Sequence, residues 1–272
     1  MGVKGAILGD IIGSQYEFSY MRPRDLDWQN VPLISKKCKR TDDTILTLAT
    51  KGAILSTENK GIEITEKDFT KWYYNMGNNY EGGYGGIFRE WLDSDKPKPY
   101  DSFGNGSAMR VSFIGEHYDN IQEVVNIAEL SAKVTHNHNQ GIKGAVVTAA
   151  SEFIAKETKN KNEIYKFALP HYGNPSIYDY PLVMSLEDMR KIYNWDVTCQ
   201  GSVPAAIRCV LEANSYEEFI RNVMSLPCDM DTLGAIGGGI AEELFGFGDI
   251  DADGILEQFL EPYLFDLAMK EN

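Results

Sequence analysis

Gly5-Ala6-Ile7-Leu8-Gly9-Asp10-Ile11-Ile12-Gly13 is the stretch on which the reading of the fold turns. Taken with a helical period, residues 4–17 form a helix on which Gly5, Gly9 and Gly13 share one row, and Glu17 lies one step further along it. A row without side chains lets another helix approach closely. A second glycine-rich apolar run, Leu233-Gly234-Ala235-Ile236-Gly237-Gly238-Gly239-Ile240-Ala241, has the same helical character.

Outward from these runs, helical signals recur and alternating strand patterns do not. Residues 43–57, 66–77, 120–134 and 140–157 carry apolar spacing suited to helices. Ser185 with Asp188 and Ser215 with Glu218 read as helix starts, the second fitting a capping box. Residues 232–245 and 254–269 supply the last long helices. The expectation is an all-α fold, one domain over residues 1–272, with functional loops at 18–41, 78–106 and 170–184.

Composition narrows the function. The chain is 43% hydrophobic and 24% charged, as in an ordinary globular protein. No run approaches the roughly 20 apolar residues of a membrane span. The opening MGVKGAILGDIIG, interrupted by Asp10, does not read as a signal peptide. A net charge of -14 argues against broad binding to nucleic acid or anionic membrane. The short basic run Lys36-Lys37-Cys38-Lys39-Arg40 reads as a solvated loop or as a positive rim beside Thr41-Asp42-Asp43. Cys38, Cys199, Cys209 and Cys228 lack zinc-like spacing and are expected as reduced thiols in a cytoplasmic protein. A monomer is expected.

The chemistry concentrates in two acidic clusters. Thr41-Asp42-Asp43-Thr44 and Asp229-Met230-Asp231-Thr232 each precede an apolar helix, so each reads as an N-cap with acidic residues at the positive helix end. Each also presents carboxylate and hydroxyl oxygens of the kind that hard divalent cations prefer. Together they can enclose a pair of cations, as in two-metal hydrolases. Asp249-Ile250-Asp251-Ala252-Asp253-Gly254 starts like an EF-hand but has Leu260 where the bidentate Glu belongs, and reads as an acidic turn. In Ser102-Phe103-Gly104-Asn105-Gly106-Ser107-Ala108-Met109-Arg110 the glycines let backbone N–H groups approach a ligand, or simply form a tight loop into a buried helix. His136, in Thr135-His136-Asn137-His138, reads as bonding a substrate hydroxyl or phosphate, or as capping a helix C-terminus. The glycine-rich loop at 78–100 reads as a lid or a surface connection.

At these residues the chain resembles the ADP-ribosylglycohydrolase family. Gly9-Asp10-Ile11-Ile12-Gly13 with Glu17 is similar to the family's GDxxGxxxE opening, and Thr41-Asp42-Asp43-Thr44 is identical to its TDDT element. Gly104-Asn105-Gly106-Ser107-Ala108-Met109-Arg110 matches GNGxAMR, Thr135-His136-Asn137-His138 resembles THxH, and Asp229-Met230-Asp231-Thr232 resembles the closing DTDT. The resemblance implies a compact all-α fold with two Mg²⁺ or Mn²⁺ ions in a central cleft. It implies Thr41, Asp42, Asp43, Asp229, Asp231 and Thr232 as metal ligands, and Glu17, Asp42 and Asp231 as the residues at the reacting centre. Ser102, Phe103, Gly104, Asn105, Gly106 and Ser107, with His136, are then expected to hold the diphosphate and distal ribose. Arg110 either braces the fold or touches ligand.

The chain departs from the family at Pro227-Cys228 and Met230, where GGDTDT is usual, and at Val111-Ser112-Phe113-Ile114-Gly115, where a proline segment is usual. The implied reaction is hydrolysis of the glycosidic bond joining ADP-ribose to a protein side chain such as arginine or serine, a nucleic-acid base or a small conjugate. The alternatives are an ADP-ribose- or nucleotide-binding module without catalysis and a metal-dependent phosphatase.

Overall fold

Apolar periodicity closes into fourteen helices among the described residues, which are 2–16 and 27–271 of this computed structural model. They are α1 (Gly2–Gly13), α2 (Asp42–Glu58), α3 (Glu66–Asn79), α4 (Gly86–Leu92) and α5 (Ser112–His117). Then follow α6 (Ile121–Lys133), α7 (Asn139–Thr158), α8 (Lys161–Tyr172), α9 (Leu186–Ile192) and α10 (Cys199–Leu211). The chain ends with α11 (Tyr216–Met224), α12 (Met230–Phe245), α13 (Ala252–Phe259) and α14 (Pro262–Met269). Among the described residues there is no strand, only one isolated antiparallel bridge between Gly104 and Thr198. The fold is all-α.

The two glycine rows meet. A Cβ placed at Gly9 would stand 2.1 Å from the carbonyl oxygen of Gly234, and one at Gly5 would stand 2.3 Å from that of Gly238. Backbone therefore packs directly on backbone where α1 crosses α12. At the next step, Gly13 meets the backbone of Met230 and Asp231, so the crossing carries the end of α1 to the start of α12. Helix α12 is buried from Met230 to Glu242 and touches α7, α10 and α11 as well.

The first turn of α1 leaves backbone N–H groups without intrahelical partners. Carboxylates from other helices take them: Glu116 accepts from Val3 N at 2.9 Å, and Glu242 accepts from Gly5 N at 2.7 Å. The other oxygen of Glu242, Oε1, is buried without a partner. Burial pushes the Glu242 carboxyl up from 4.5 to about 8. Between these values the folded chain holds a proton that the unfolded chain releases, so this group's contribution to stability falls as pH rises. Glu242→Gln should flatten that fall between pH 4.5 and 8 in thermal melts. An unchanged pH slope would refute the assignment.

Several helices follow the sequence reading within a residue or two: α2, α3, α6, α7 and α12. Ser185 and Ser215 cap α9 and α11 through the N–H groups of Asp188 and Glu218. Glu218 turns its carboxylate to Asn214 N, so the box at α11 closes one residue early. The expected helix over 254–269 is broken by Pro262, which starts α14 where its missing N–H has no cost. The loop expected at 78–106 contains α4. Helices α5, α8 and α10 were not anticipated; α8 and α10 contain Pro170 and Pro204, and burial of Val203, Ile207 and Val210 outweighs local propensity in α10. No helix among the described residues is long and apolar enough to cross a membrane.

Candidate active site

Asp10 brings the helix ends together. It projects from α1, fully buried, toward the start of α2. Its Oδ2 accepts the backbone N–H of Thr41 at 2.9 Å and of Thr44 at 3.0 Å, together with the Thr44 hydroxyl. Its Oδ1 lies 2.7 Å from the Thr41 hydroxyl. A helix start is thus capped by a carboxylate from another helix, which fixes the height of Thr41-Asp42-Asp43 relative to α1. Thr41 is also the local N-cap, accepting from Asp43 N at 3.3 Å. The capping reading of this cluster is realised.

The cation reading remains beside it. Asp43 is 3% exposed; its Oδ2 faces the hydroxyls of Thr41 at 3.2 Å and Thr232 at 3.4 Å, while Oδ1 is buried with no hydrogen-bond partner. Asp10, Asp43 and Asp231 each place a carboxylate oxygen within 4.8 Å of the others, all buried. Burial, then the charges of Asp10, Asp42 and Asp229, push the Asp43 carboxyl well above the ordinary range. Burial also raises Asp10 and Asp229, against the hydrogen bonds each receives. Like charges gathered out of water with one oxygen unanswered are what a divalent cation relieves. The donor set fits a hard cation.

A cleft of about 390 Å³ opens onto this cluster. Asp42, Asp43, Asp229, Asp231 and Thr232 form its acidic floor. One wall is the segment Ser102–Gly106, held by Asn105 N to Val197 O at 2.8 Å and Cys199 N to Phe103 O at 2.9 Å. Gly83, Gly85, Gly86, Ile87 and Phe88, leading into α4, also line the cleft.

The expected ligand-binding residues fall into two groups, those that line the cleft and those that do not. Ser102, Gly104, Asn105, Gly106 and His136 line the cleft. Asn105 spends both amide protons inside the protein, on Ser202 Oγ at 3.1 Å and Asp229 Oδ2 at 2.9 Å, so it positions Asp229. Ser107 is fully buried with its hydroxyl on Gly141 O at 2.7 Å, and it stands behind the wall. Phe103 is exposed, its ring 5.2 Å from that of His138. Thr41 lies beneath the floor, bonded to Asp10 and Asp43. Glu17 falls outside the described residues. The C-cap of α6 is Val134 and not His136, while His138 caps the start of α7, accepting from Gln140 N. Arg110 is buried over the ring of Tyr73 at 4.1 Å. In the basic run, Arg40 pairs with Glu261. The acidic turn caps α13 through Asp251.

The profile of the family described as ADP-ribosylglycohydrolase matches residues 2–268. The chain belongs to the ADP-ribosylglycohydrolase family. It is therefore a hydrolase by class. Among relatives, the human protein named ADP-ribosylhydrolase ARH3 is 25% identical, over 90% of this chain and 85% of that one. The protein named ADP-ribosylarginine hydrolase Tri1, from Pseudomonas putida (strain GB-1), is 23% identical over 89% of this chain and 70% of its own. A solved structure titled ADP-ribosylglycohydrolase-related protein complex superposes with a TM-score of 0.72 at 20% identity, covering 98% of this chain and 95% of that one. That likeness establishes the shared fold.

Asp10 is the site residue that the sequence reading passed over as part of a motif and gave no role. A signal was present: a lone carboxylate among Ile7, Leu8, Ile11 and Ile12 on an apolar helix is costly unless something pairs with it. Tyr100, Trp195 and Val197, which also line the cleft, had no such signal.

Proposed function

We propose that the chain hydrolyses the glycosidic bond between ADP-ribose and an acceptor, releasing ADP-ribose, with two Mg²⁺ or Mn²⁺ held among Thr41, Asp42, Asp43, Asp229, Asp231 and Thr232. The observation that carries the reading is the unpartnered, buried Oδ1 of Asp43 among converging carboxylates at the foot of a cleft. Family membership supplies the reaction class. The cations, when bound, orient and polarise oxygen ligands and acidify bound water.

The chain's own residues do the rest. Asp10 fixes the start of α2, and Asn105 fixes Asp229, so the ligand oxygens are set before substrate arrives. Gly104 and Gly106 leave their wall bare, which lets a diphosphate lie close to backbone. His136 offers a ring nitrogen to the same wall. Glu17 takes the proton from the attacking water and manages the proton delivered to the leaving group. We read residues 1–272 as a single domain acting as a monomer.

A protein side chain, a nucleic-acid base and a small conjugate are all consistent acceptors. The test is release of product from serine- and arginine-ADP-ribosylated peptides with Mg²⁺, with Mn²⁺ and with chelator. Free ADP-ribose, lost on chelation, supports the proposal. AMP indicates phosphohydrolysis instead, and tight binding without turnover indicates the non-catalytic alternative. Glu17→Gln should lower kcat by about 10²–10⁴-fold with metal affinity retained. Undiminished turnover removes Glu17 from the reaction.

A further inference from the structure

The wall that faces the ligand contains a histidine whose protonation is dictated from behind. Arg110 lies flat on Tyr73 and is fully buried. Its Nη2 donates to the carbonyl oxygen of Ser131 at 2.8 Å and to Thr135 Oγ1 at 2.9 Å. A guanidinium has no acceptor, so the Thr135 oxygen must accept this bond. Thr135 is itself fully buried, and among the described residues its hydroxyl has one other hydrogen-bonding neighbour, His136 Nδ1 at 2.7 Å. The hydroxyl proton therefore goes to Nδ1. The reverse arrangement, with Nδ1–H donating, would strand the Thr135 proton without an acceptor in the core.

A neutral imidazole that accepts at Nδ1 carries its proton on Nε2. Nε2 points at the bare wall, 3.7 Å from where a Cβ at Gly104 would stand and 3.5 Å from one at Gly106. We infer that Arg110 and Thr135 are positioning residues that lock His136 as a neutral Nε2–H donor, aimed at an acceptor oxygen of a ligand lying on the Gly104–Gly106 turn. Burial and the Arg110 charge both disfavour the imidazolium, in keeping with that geometry. The device holds an anionic oxygen through a directed hydrogen bond from a neutral ring. It also rejects a ligand that presents a donor there. That the oxygen belongs to a diphosphate rests on the proposed function; the tautomer does not.

The lock is read directly from the imidazole ¹⁵N resonances of the ligand-free protein labelled at histidine, with His136 assigned through His136→Asn. A protonated Nε2 and a bare Nδ1 across neutral pH are expected. Thr135→Val, which removes the hydroxyl, should yield mixed tautomers and weaken ADP-ribose binding by roughly 3- to 10-fold, the worth of one hydrogen bond. Thr135→Ser should restore both. A protonated Nδ1 in the wild type, or a Thr135→Val spectrum identical to wild type, overturns the inference. If Thr135→Val does not fold, the wild-type and Thr135→Ser spectra still decide it. Wild-type protein that shows the Nε2–H tautomer but binds no ADP-ribose would uphold the lock and refute the proposed function.

Discussion

Asp231→Ala should raise the stability of the metal-free protein while removing its stabilisation by Mg²⁺ or Mn²⁺, and should lower kcat/KM by about 10³-fold or more. The two effects have opposite signs because the same carboxylate does two things. Asp231 is 2% exposed in the first turn of α12, and one of its oxygens lies within 4.8 Å of those of Asp10 and Asp43. Without a cation, a buried carboxylate beside others adds repulsion and a desolvation cost that the hydrogen bond it accepts from Thr232 N at 2.9 Å offsets only in part. Alanine removes both. With a cation, the carboxylate is a ligand, and its loss opens the site. Wild-type protein should gain roughly 2.7 kcal/mol at a hundredfold excess of metal over Kd. Thermal melts across a metal titration, with calorimetry for stoichiometry, separate the cases. A variant that is less stable without metal yet shifts as far with it would mean that Asp231 serves the fold and not the cation.

How much of this was legible depended on whether the information was local. The helix start at Thr41 was legible because a cap is written in adjacent residues, and the structure keeps it. Choosing between cap and cation ligand was not, because that turns on Asp10, distant in sequence, taking the N–H groups that a lone cap would otherwise serve. The cap is present, and the second helix brings carboxylates close enough for the proposed cation site beside it. The glycine row of α1 announced a close helix contact, but its partner was identified only by the matching spacing of Gly234 and Gly238 in three dimensions. Helix α10 escaped because Pro204 argues against it locally, whereas its buried face argues for it globally.

The departures at Pro227-Cys228 and Met230 also resolve through packing. Cys228 is buried, with its thiol donating to Val223 O at 3.5 Å and its N–H to Leu226 O at 2.9 Å. Met230 is 1% exposed. The approach to Asp229 is therefore fixed by side chains filling the core where the family usually has glycines. Asp229 itself still faces the cleft and is held by Asn105.

The glycine crossing makes the second strong prediction, because there the contact is between backbones. Gly9→Ala would put a Cβ 2.1 Å from the Gly234 carbonyl oxygen and 2.4 Å from its carbon, and Gly234→Ala would put one 2.4 Å from Gly9 O. No rotamer change relieves such a contact, so α1 and α12 must separate. Overpacked cores typically cost about 1–3 kcal/mol, and a clash that only backbone movement can relieve belongs at the top of that range or above it. Separation also pulls Asp10 on α1 away from Asp231 on α12, so metal affinity should fall with stability. Gly86→Ala is the control: a Cβ there meets nothing within 4 Å, the residue begins α4, and a change between slight stabilisation and none is expected. Urea unfolding with and without metal tests the pair. If Gly9→Ala unfolds at the wild-type midpoint and binds metal as tightly, then the α1–α12 contact does not set the spacing of the acidic cluster.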